Sequence, residues 1–350
     1  MNTRFKRIEN FSLRVQNAFI FLQNTYKDID PNWFKDINLS EVNTIEDVYV
    51  ITLCKVVNTI SKRGLYKEYI KIEDAELISP KGRIDVSKSV TRQTRLRGKL
   101  ICSYDELSDN VLHNKIIKTV LLHMIYNKSV SKPFIYKLQK ALNDFNGVDT
   151  LDIKSIDWKR IRYNNSNIRY KTALDLCKSL IDIENISKIT SYSFEDKLHI
   201  MFTKQLYNYY NKEFGSMLSV SKTTSTKWTS RYKYEKLVSG SRTYTVIRKE
   251  KEALIIGFER YNSWASAADE DRQLKHMKQV CEEYEEAIGN IKAKIGLIYI
   301  NPTDGYTDKE IQIVNVDGKL AGYTVVDCNI GFTYIKYKLN QLINIMLKTK

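Results

Sequence analysis

The residues with the clearest chemical meaning sit in two neighbouring stretches, TYTVIRKE from Thr243 and EALIIGFERY ending at Tyr261, which read as two strands joined by a charged turn. Alternate side chains of a strand share a face. An acid followed two residues later by a lysine would therefore aim both at one site. There, carboxylates hold a divalent ion that generates hydroxide against a phosphodiester, and the lysine orients the water. In this sequence Gly257 stands at the acid's position, Glu259 at the lysine's, and Tyr244 or Thr245 at the place of a first acid on the preceding strand. Hydroxyls, a glycine and a single carboxylate carry too little negative charge to hold Mg²⁺, and no cation is left to position water. The hairpin as written is not expected to cut DNA. A rearranged site drawn from Glu250, Glu252 and Glu259 with Lys249 or Lys251 stays open, and would make the chain an Mg-dependent endonuclease. A hairpin that never carried metal chemistry also fits, since an apolar strand ending in a charged pair is common.

The elements that must position these residues follow from periodicity, because only four prolines punctuate the chain. Apolar residues recur at helical spacing from about Ser12 to Asn24 and from Thr44 to Ser61. Between Tyr66 and Tyr104 the pattern changes to short β-branched stretches broken by Ser79-Pro80-Lys81-Gly82 and by Arg97-Gly98, a small β element. Ser108 and Asp109 then offer an N-cap to a long amphipathic helix, and further helices are expected from Pro133 to Phe145, Tyr170 to Ile183 and Phe194 to Tyr210. Beyond the hairpin come a helix from about Asp269 to Ile288, a strand from Ile295 to Asn301, two more strands and a C-terminal helix. The expected fold is mixed α+β: a helical and small-β region over residues 1–190, then an α/β core over 191–350. Hairpin, helix and strand in that order resemble the core of the PD-(D/E)XK nucleases.

At 350 residues the chain is long enough for two or three domains of about 100–200 residues each. Its formal charge of +15 and pI near 9.3 favour polyanionic partners, nucleic acid first, although heavy use of Lys, Asn, Ile and Tyr also fits an AT-rich genome. The five cysteines are far apart and form no Cys-x-x-Cys, and His113, His123, His199 and His276 are scattered. No metal ligand set is expected from them, and the thiols read as buried ones in a reducing compartment. No apolar run approaches the roughly 20 residues that span a bilayer, and the start lacks a signal-peptide core, so a cytoplasmic chain without a membrane partner is expected. The stretch holding Lys227, Trp228, Arg231 and Lys233 has two readings, a surface that tracks a DNA backbone with stacking rings or a twisted strand with its rings in the core.

A resemblance sharpens this picture. Gly64 to Ile70 (GLYKEYI), Gly82 to Val86 (GRIDV) and Leu100 to Leu121 (LICSYDELSDNVLHNKIIKTVL) are similar to the McrC family of McrBC restriction systems, with Cys102, Tyr104, Asp105, Glu106, Asn114 and Lys118 at matching places. Trp158, Arg162, Tyr163 and Tyr170 extend the likeness, as do Gln279 and Gly296 to Thr303, so it covers nearly the whole chain. In that family a Phe/Tyr-Glu pair sits on the helix entering the nuclease domain; here Phe202 is followed by Thr203. Departures at Thr203, Tyr244 or Thr245, Gly257 and Glu259, with Gln279 retained as scaffold, imply a nuclease domain without its metal site. The resemblance implies an McrC-like subunit of a restriction or anti-phage system. Such a subunit binds a hexameric McrB-like AAA+ GTPase, inserts its β element into the ring and stimulates hydrolysis of GTP held by that partner. No cofactor of the chain's own is expected, DNA is a second partner, and a separate nuclease is a further candidate. Arg83, Asp85, Arg92, Arg95 and Arg97 in the β element are the expected partner-binding residues, although a solvated charged face is the plain alternative. A stand-alone basic DNA-binding protein remains the third reading.

Overall fold

The computed structural model describes residues 2–35, 37–187, 192–225, 242–260, 293–301, 310–316 and 318–348, with Lys278, Cys281, Glu282 and Tyr284. Contacts gather the chain into two compact units: Met1–Thr52, Lys128–Phe134 and Lys178–Lys350 form one, and Leu53–Asn127 with Ile135–Cys177 form the other. The domain boundary expected near residue 190 lies inside the first unit.

The first unit is organised by a six-stranded sheet. The strands are β4 (Ser219–Ser225), β5 (Arg242–Lys249), β6 (Glu252–Arg260), β7 (Lys294–Asn301), β8 (Gln312–Val316) and β9 (Lys319–Asp327), in spatial order β4-β5-β6-β7-β9-β8. Pairs β4/β5, β5/β6 and β8/β9 are antiparallel, whereas β6, β7 and β9 run parallel. The hairpin β5/β6 is closed by Glu250 and Lys251, with Glu250 at φ 52°, the left-handed conformation that two-residue hairpin turns demand. Parallel pairing of β6 with β7 requires a crossover of a dozen residues or more. Residues 261–292 supply it, and the four of them that are described are helical, as the periodicity predicts.

Strand β6 is apolar through its centre because it is covered on both faces. Ile255 joins Tyr244, Val246, Leu297 and Tyr299 in a core closed by Cys281 and Tyr284, which lie three apart on one helix face. Leu254, Ile256 and Phe258 point the other way, towards α7 (Phe194–Phe214) and the C-terminal helix α8 (Phe332–Leu347). The Phe202 and Phe258 rings are 5.7 Å apart, and Gly296 lies against Ile256 and Leu342. The first helix, α1 (Asn2–Thr25), lays Phe21 between Phe202, Tyr209 and Phe332. Helix α7 begins with a capping box in which Ser193 and Asp196 satisfy one another's backbone N–H groups. In α2 (Ile45–Lys62), the fully buried Glu46 accepts a 2.6 Å hydrogen bond from Lys197 Nζ, and its second oxygen has no protein partner among the described residues.

The second unit carries a three-stranded antiparallel sheet, β1 (Glu68–Leu77), β2 (Arg83–Asp85) and β3 (Leu100–Ser108), in spatial order β1-β3-β2. This is the small β element of the sequence, with one addition: the short helix α3 (Val86–Thr91) lies between β2 and β3. Helix α4 (Leu112–Ile125) buries Ile116, Ile117, Val120, Leu121 and Met124. Its expected capping by Ser108 or Asp109 does not occur. The N-cap is Val111, without a side-chain bond, while the Ser108 hydroxyl accepts from Asn110 N and Asp109 offers its carbonyl to Asn114. Both residues are spent on the turn before the helix. The helices are completed by α5 (Lys132–Leu142) from Ile135 onward and by α6 (Lys171–Ser187) as far as Cys177.

The aromatic centre of this unit is His113, within 5.5–6.1 Å of the rings of Tyr66, Tyr163 and Tyr170. Its Nε2 lies 3.1 Å from the Arg162 carbonyl, which can only accept, so Nε2 carries a proton. All five cysteines are buried free thiols, and burial pushes Cys54 up to about 12. Among the described residues no helix is long and apolar enough to cross a membrane.

Removing Lys197 strands a buried carboxylate. Lys197→Ala should lower unfolding free energy by about 3–5 kcal/mol, whereas the double variant Glu46→Leu with Lys197→Met should cost much less; equal losses in urea titrations would deny the pair its importance. Burial holds the His113 pKa below its ordinary 6.5, with the Arg162 carbonyl and Glu68 only partly opposing it. The unfolded state therefore binds the proton first, and stability present above 6.5 should fall as pH drops towards the folded pKa. His113→Gln should flatten the urea midpoint between pH 7 and pH 5 by about the contribution of one histidine.

Candidate functional site

Two places collect the residues singled out by the sequence. The first is the β5/β6 hairpin. Tyr244 and Thr245, both buried, fall on opposite faces of β5: the Tyr244 ring packs at a tilt against that of Tyr284, 4.4 Å between centroids, and Thr245 pairs with Ile256 across the hairpin. Gly257 lies on the Tyr244 face, and the space a side chain would need there is already taken. A Cβ built at 257 would fall on the Tyr284 hydroxyl, 3.0 Å from its Cζ and 3.1 Å from Tyr244 Cδ1. The space beside Gly257 is thus filled by a tyrosine.

Thr203 sits on α7, which packs on the opposite face through Phe202 and Phe258, and its hydroxyl is spent on the His199 carbonyl at 2.9 Å. Structure therefore brings Tyr244 and Gly257 together and leaves Thr203 apart from them. Glu259 pairs through its backbone with Tyr299, and Gln279 lies outside the described residues. No group of three or more His, Cys, Asp or Glu that could hold a metal occurs among the described residues.

One ion shared by Glu252 and Glu259 does not fit the length of the strand between them. Glu252 and Glu259 occupy opposite ends of β6, and seven residues of extended chain span about 23 Å. Carboxylates that share one ion must both lie within about 2–2.6 Å of it. Two of the candidate residues near the turn are also bonded elsewhere. Glu252 accepts from Lys294 Nζ at 2.9 Å, and Lys249 Nζ donates to the carbonyls of Leu347 and Lys348 at the end of α8. That ammonium sits where the last helical carbonyls concentrate negative charge.

The second place is the three-stranded sheet. Strand β1 changes register between Ile72 and Ala75, and at this bulge Asp74 adopts φ 56°. The bulge turns the Asp74 carboxylate towards α3, where it accepts from Lys88 Nζ at 2.7 Å and from Arg92 Nη2 at 2.9 Å. The Lys88 and Arg92 charges hold the Asp74 carboxyl below its ordinary value. Asp85 caps α3 by accepting from Lys88 N at 2.9 Å, and Arg97 reaches Glu76 at 3.4 Å. Of the five expected partner-binding residues, Arg92 and Arg97 are thus engaged within the sheet and Asp85 is a helix cap. Arg83 and Arg95 are exposed without a carboxylate partner among the described residues.

What the sequence reading missed is the apolar surface around them. Tyr69, Ile78, Ile84, Val86, Val90, Leu96 and Leu107 are all exposed, Leu96 to 84% and Ile78 to 78%. The short β-branched stretches signalled a β element, but not that so many of its apolar residues would be left in solvent. Lys227, Trp228, Arg231 and Lys233 lie outside the described residues.

A mixed sheet fed by an antiparallel hairpin, joined in one chain to a unit that keeps an apolar sheet surface in solvent, defines a two-unit α+β protein. Residues 4–222 match the family described as the McrBC 5-methylcytosine restriction system component, more than half of the 350 residues, and the chain belongs to that family. It is similar to the type IV methyl-directed restriction enzyme EcoKMcrBC of Escherichia coli K12, with 24% identity over 217 residues, 58% of this chain and 62% of the relative. The chain thus spans less than two thirds of the curated relative it matches. Its fold is similar to a chain in the half-complex of Thermococcus gammatolerans McrB AAA+ hexamers with bound McrC, at a TM-score of 0.52 and 14% identity, covering 94% of this chain and 75% of that one.

If Tyr284 owns the space at position 257, Gly257→Ala should lower stability by about 1–3 kcal/mol, and Tyr284→Phe in the same chain should recover some of the loss. An alanine tolerated at no cost, read by urea unfolding, would mean the space is open.

Proposed function

We propose that this chain is the McrC-like subunit of an McrBC-type restriction or anti-phage system, and that it docks its three-stranded sheet on an McrB-like AAA+ GTPase ring, stimulates hydrolysis there, and contacts DNA. The observation that carries the reading is the concentration of exposed apolar side chains in residues 69–107, interleaved with cations that the bulge at Asp74 holds in place. An apolar surface of this kind is costly in water and marks an interaction site. Family membership supplies the partner: the solved complex similar in fold is one of McrB hexamers with bound McrC. Arg83 and Arg95, uncommitted within the sheet, would meet acidic or phosphate groups of the ring.

The order of elements in the larger unit, α7 then the hairpin, a crossover with helical residues and a parallel strand, supports reading it as a PD-(D/E)XK-type core. We read it as a pseudo-nuclease, because Gly257 and Tyr284 leave no place for the carboxylate that would hold Mg²⁺. The subunit would act through the ring and DNA, with cleavage supplied by a separate nuclease.

GTP turnover of the cognate AAA+ protein, measured with and without this chain, tests the reading. The wild-type chain should stimulate turnover and co-purify with the ring, while Val90→Asp with Leu96→Asp should lose at least about tenfold in stimulation, as removal of central apolar contacts does. Mg²⁺- or Mn²⁺-dependent cleavage of DNA by the chain and ring together, abolished by Glu259→Ala, would refute the pseudo-nuclease.

A further inference from the structure

A second charged surface lies in the smaller unit, formed by the residues that lead into β1 and by a stretch after α5. Ser61 to Lys67 reads SKRGLYK, three cations and no acid, and Lys154 to Lys171 holds six cations against one acid, Asp157. These stretches are about 90 residues apart in the chain, yet they are joined at two points. Arg169 Nη2 donates to the Gly64 carbonyl at 2.7 Å, and Tyr66 N donates to the Tyr170 hydroxyl at 2.7 Å.

The later stretch is held in shape by its own polar groups. Asp157 spends its carboxylate on the Lys159 N–H, Asn164 and Asn167 close a turn on each other, and the Arg162 carbonyl accepts from both His113 and Asn167. The one acid within the two stretches is therefore spent on the backbone, while Glu68, Asp109 and Asp175 border them. Lys62, Arg63, Lys67, Lys159 and Arg160 are all exposed, and none has a carboxylate partner among the described residues. Tyr163, 38% exposed, brings an aromatic ring to the same stretch.

Uncompensated cations held by a rigid backbone repel one another, and a folded surface gains by keeping them together only when an anion is shared among them. The spacing is that of a polymer ligand. A small anion would be met by two or three of these groups, whereas a chain of phosphates can be met by all of them, each contact releasing a condensed counterion. We propose that the face formed by residues 61–67 and 154–171 binds the phosphate backbone of DNA, with Tyr163 available to stack at its edge. The identity of the polyanion rests on the restriction-system reading above; the face does not depend on the ring.

The test compares two variants of the full chain with equal change in charge. One carries Lys62→Gln, Arg63→Gln, Lys159→Gln and Arg160→Gln, leaving Arg162 and Arg169 because their guanidinium groups also bond to carbonyls. The control carries Lys27→Gln, Lys35→Gln, Lys128→Gln and Lys140→Gln, exposed lysines outside the two stretches. Binding to a fluorescently labelled DNA duplex is measured by anisotropy across a salt series, and folding by thermal unfolding. The first variant should bind about tenfold or more weakly, with a salt slope smaller by about 2–4, while the control keeps the wild-type slope. Equal losses in both would mean that only net charge matters, and an unchanged first variant, or a wild-type chain that binds no DNA, would overturn the face. Ring co-purification is measured in parallel. If the first variant binds DNA normally but fails to recover the ring, the face belongs to a protein partner and the proposal falls, whereas loss of DNA binding with ring stimulation intact separates this face from the docking sheet.

Discussion

Strand β6 must satisfy two apolar faces at once, and this double burial governs the larger unit. Its backbone is paired on one side with β5 and on the other with β7, so it can neither shift nor rotate without breaking two ladders. Its side chains are correspondingly divided, Ile255 and Gly257 towards Tyr284, Ile256 and Phe258 towards α7 and α8. Glycine at 257 is then a matter of volume rather than of backbone freedom, because it leaves room for a tyrosine ring from the crossover helix. The same packing that stabilises the sheet leaves no open space for a side chain at 257.

The hairpin, the parallel strand β7 and the C-terminal helix were legible because their apolar periods are long and uninterrupted. Tyr284 was not legible as the occupant, since its approach to Gly257 depends on how a helix far along the chain docks on the sheet. The six residues of α3 are too few to show a helical period, and they vanished into the β element. Capping of α4 was misplaced for a local reason: Ser108 and Asp109 are good caps, but also good turn formers, and the turn took them.

In the smaller unit the sequence displayed a row of cations without telling which of them are occupied. That distinction arises at the bulge between Ile72 and Ala75, where one irregularity in register swings Asp74 towards α3. Lys88 and Arg92 thereby become members of the sheet's own framework, Arg97 joins it through Glu76, and Arg83 and Arg95 are left exposed. Screening by water and salt keeps each such exposed pair weak, so its contribution is to geometry more than to stability. The sheet offers its apolar residues on a frame whose charges are already arranged.

The segments that complete the larger unit are far apart in the chain, with Phe21 of α1 resting against Phe202 and Phe332. During synthesis α1 leaves the ribosome with its apolar stripe uncovered, and the helices that cover it follow only after the whole smaller unit has been made. The smaller unit has all its own residues much earlier and can settle first. Nascent chains that stop short of residue 194 would keep that stripe bare, and those that stop between α7 and residue 332 would cover Phe21 on one side only, which makes premature termination an event apt to send this protein to chaperones or aggregates.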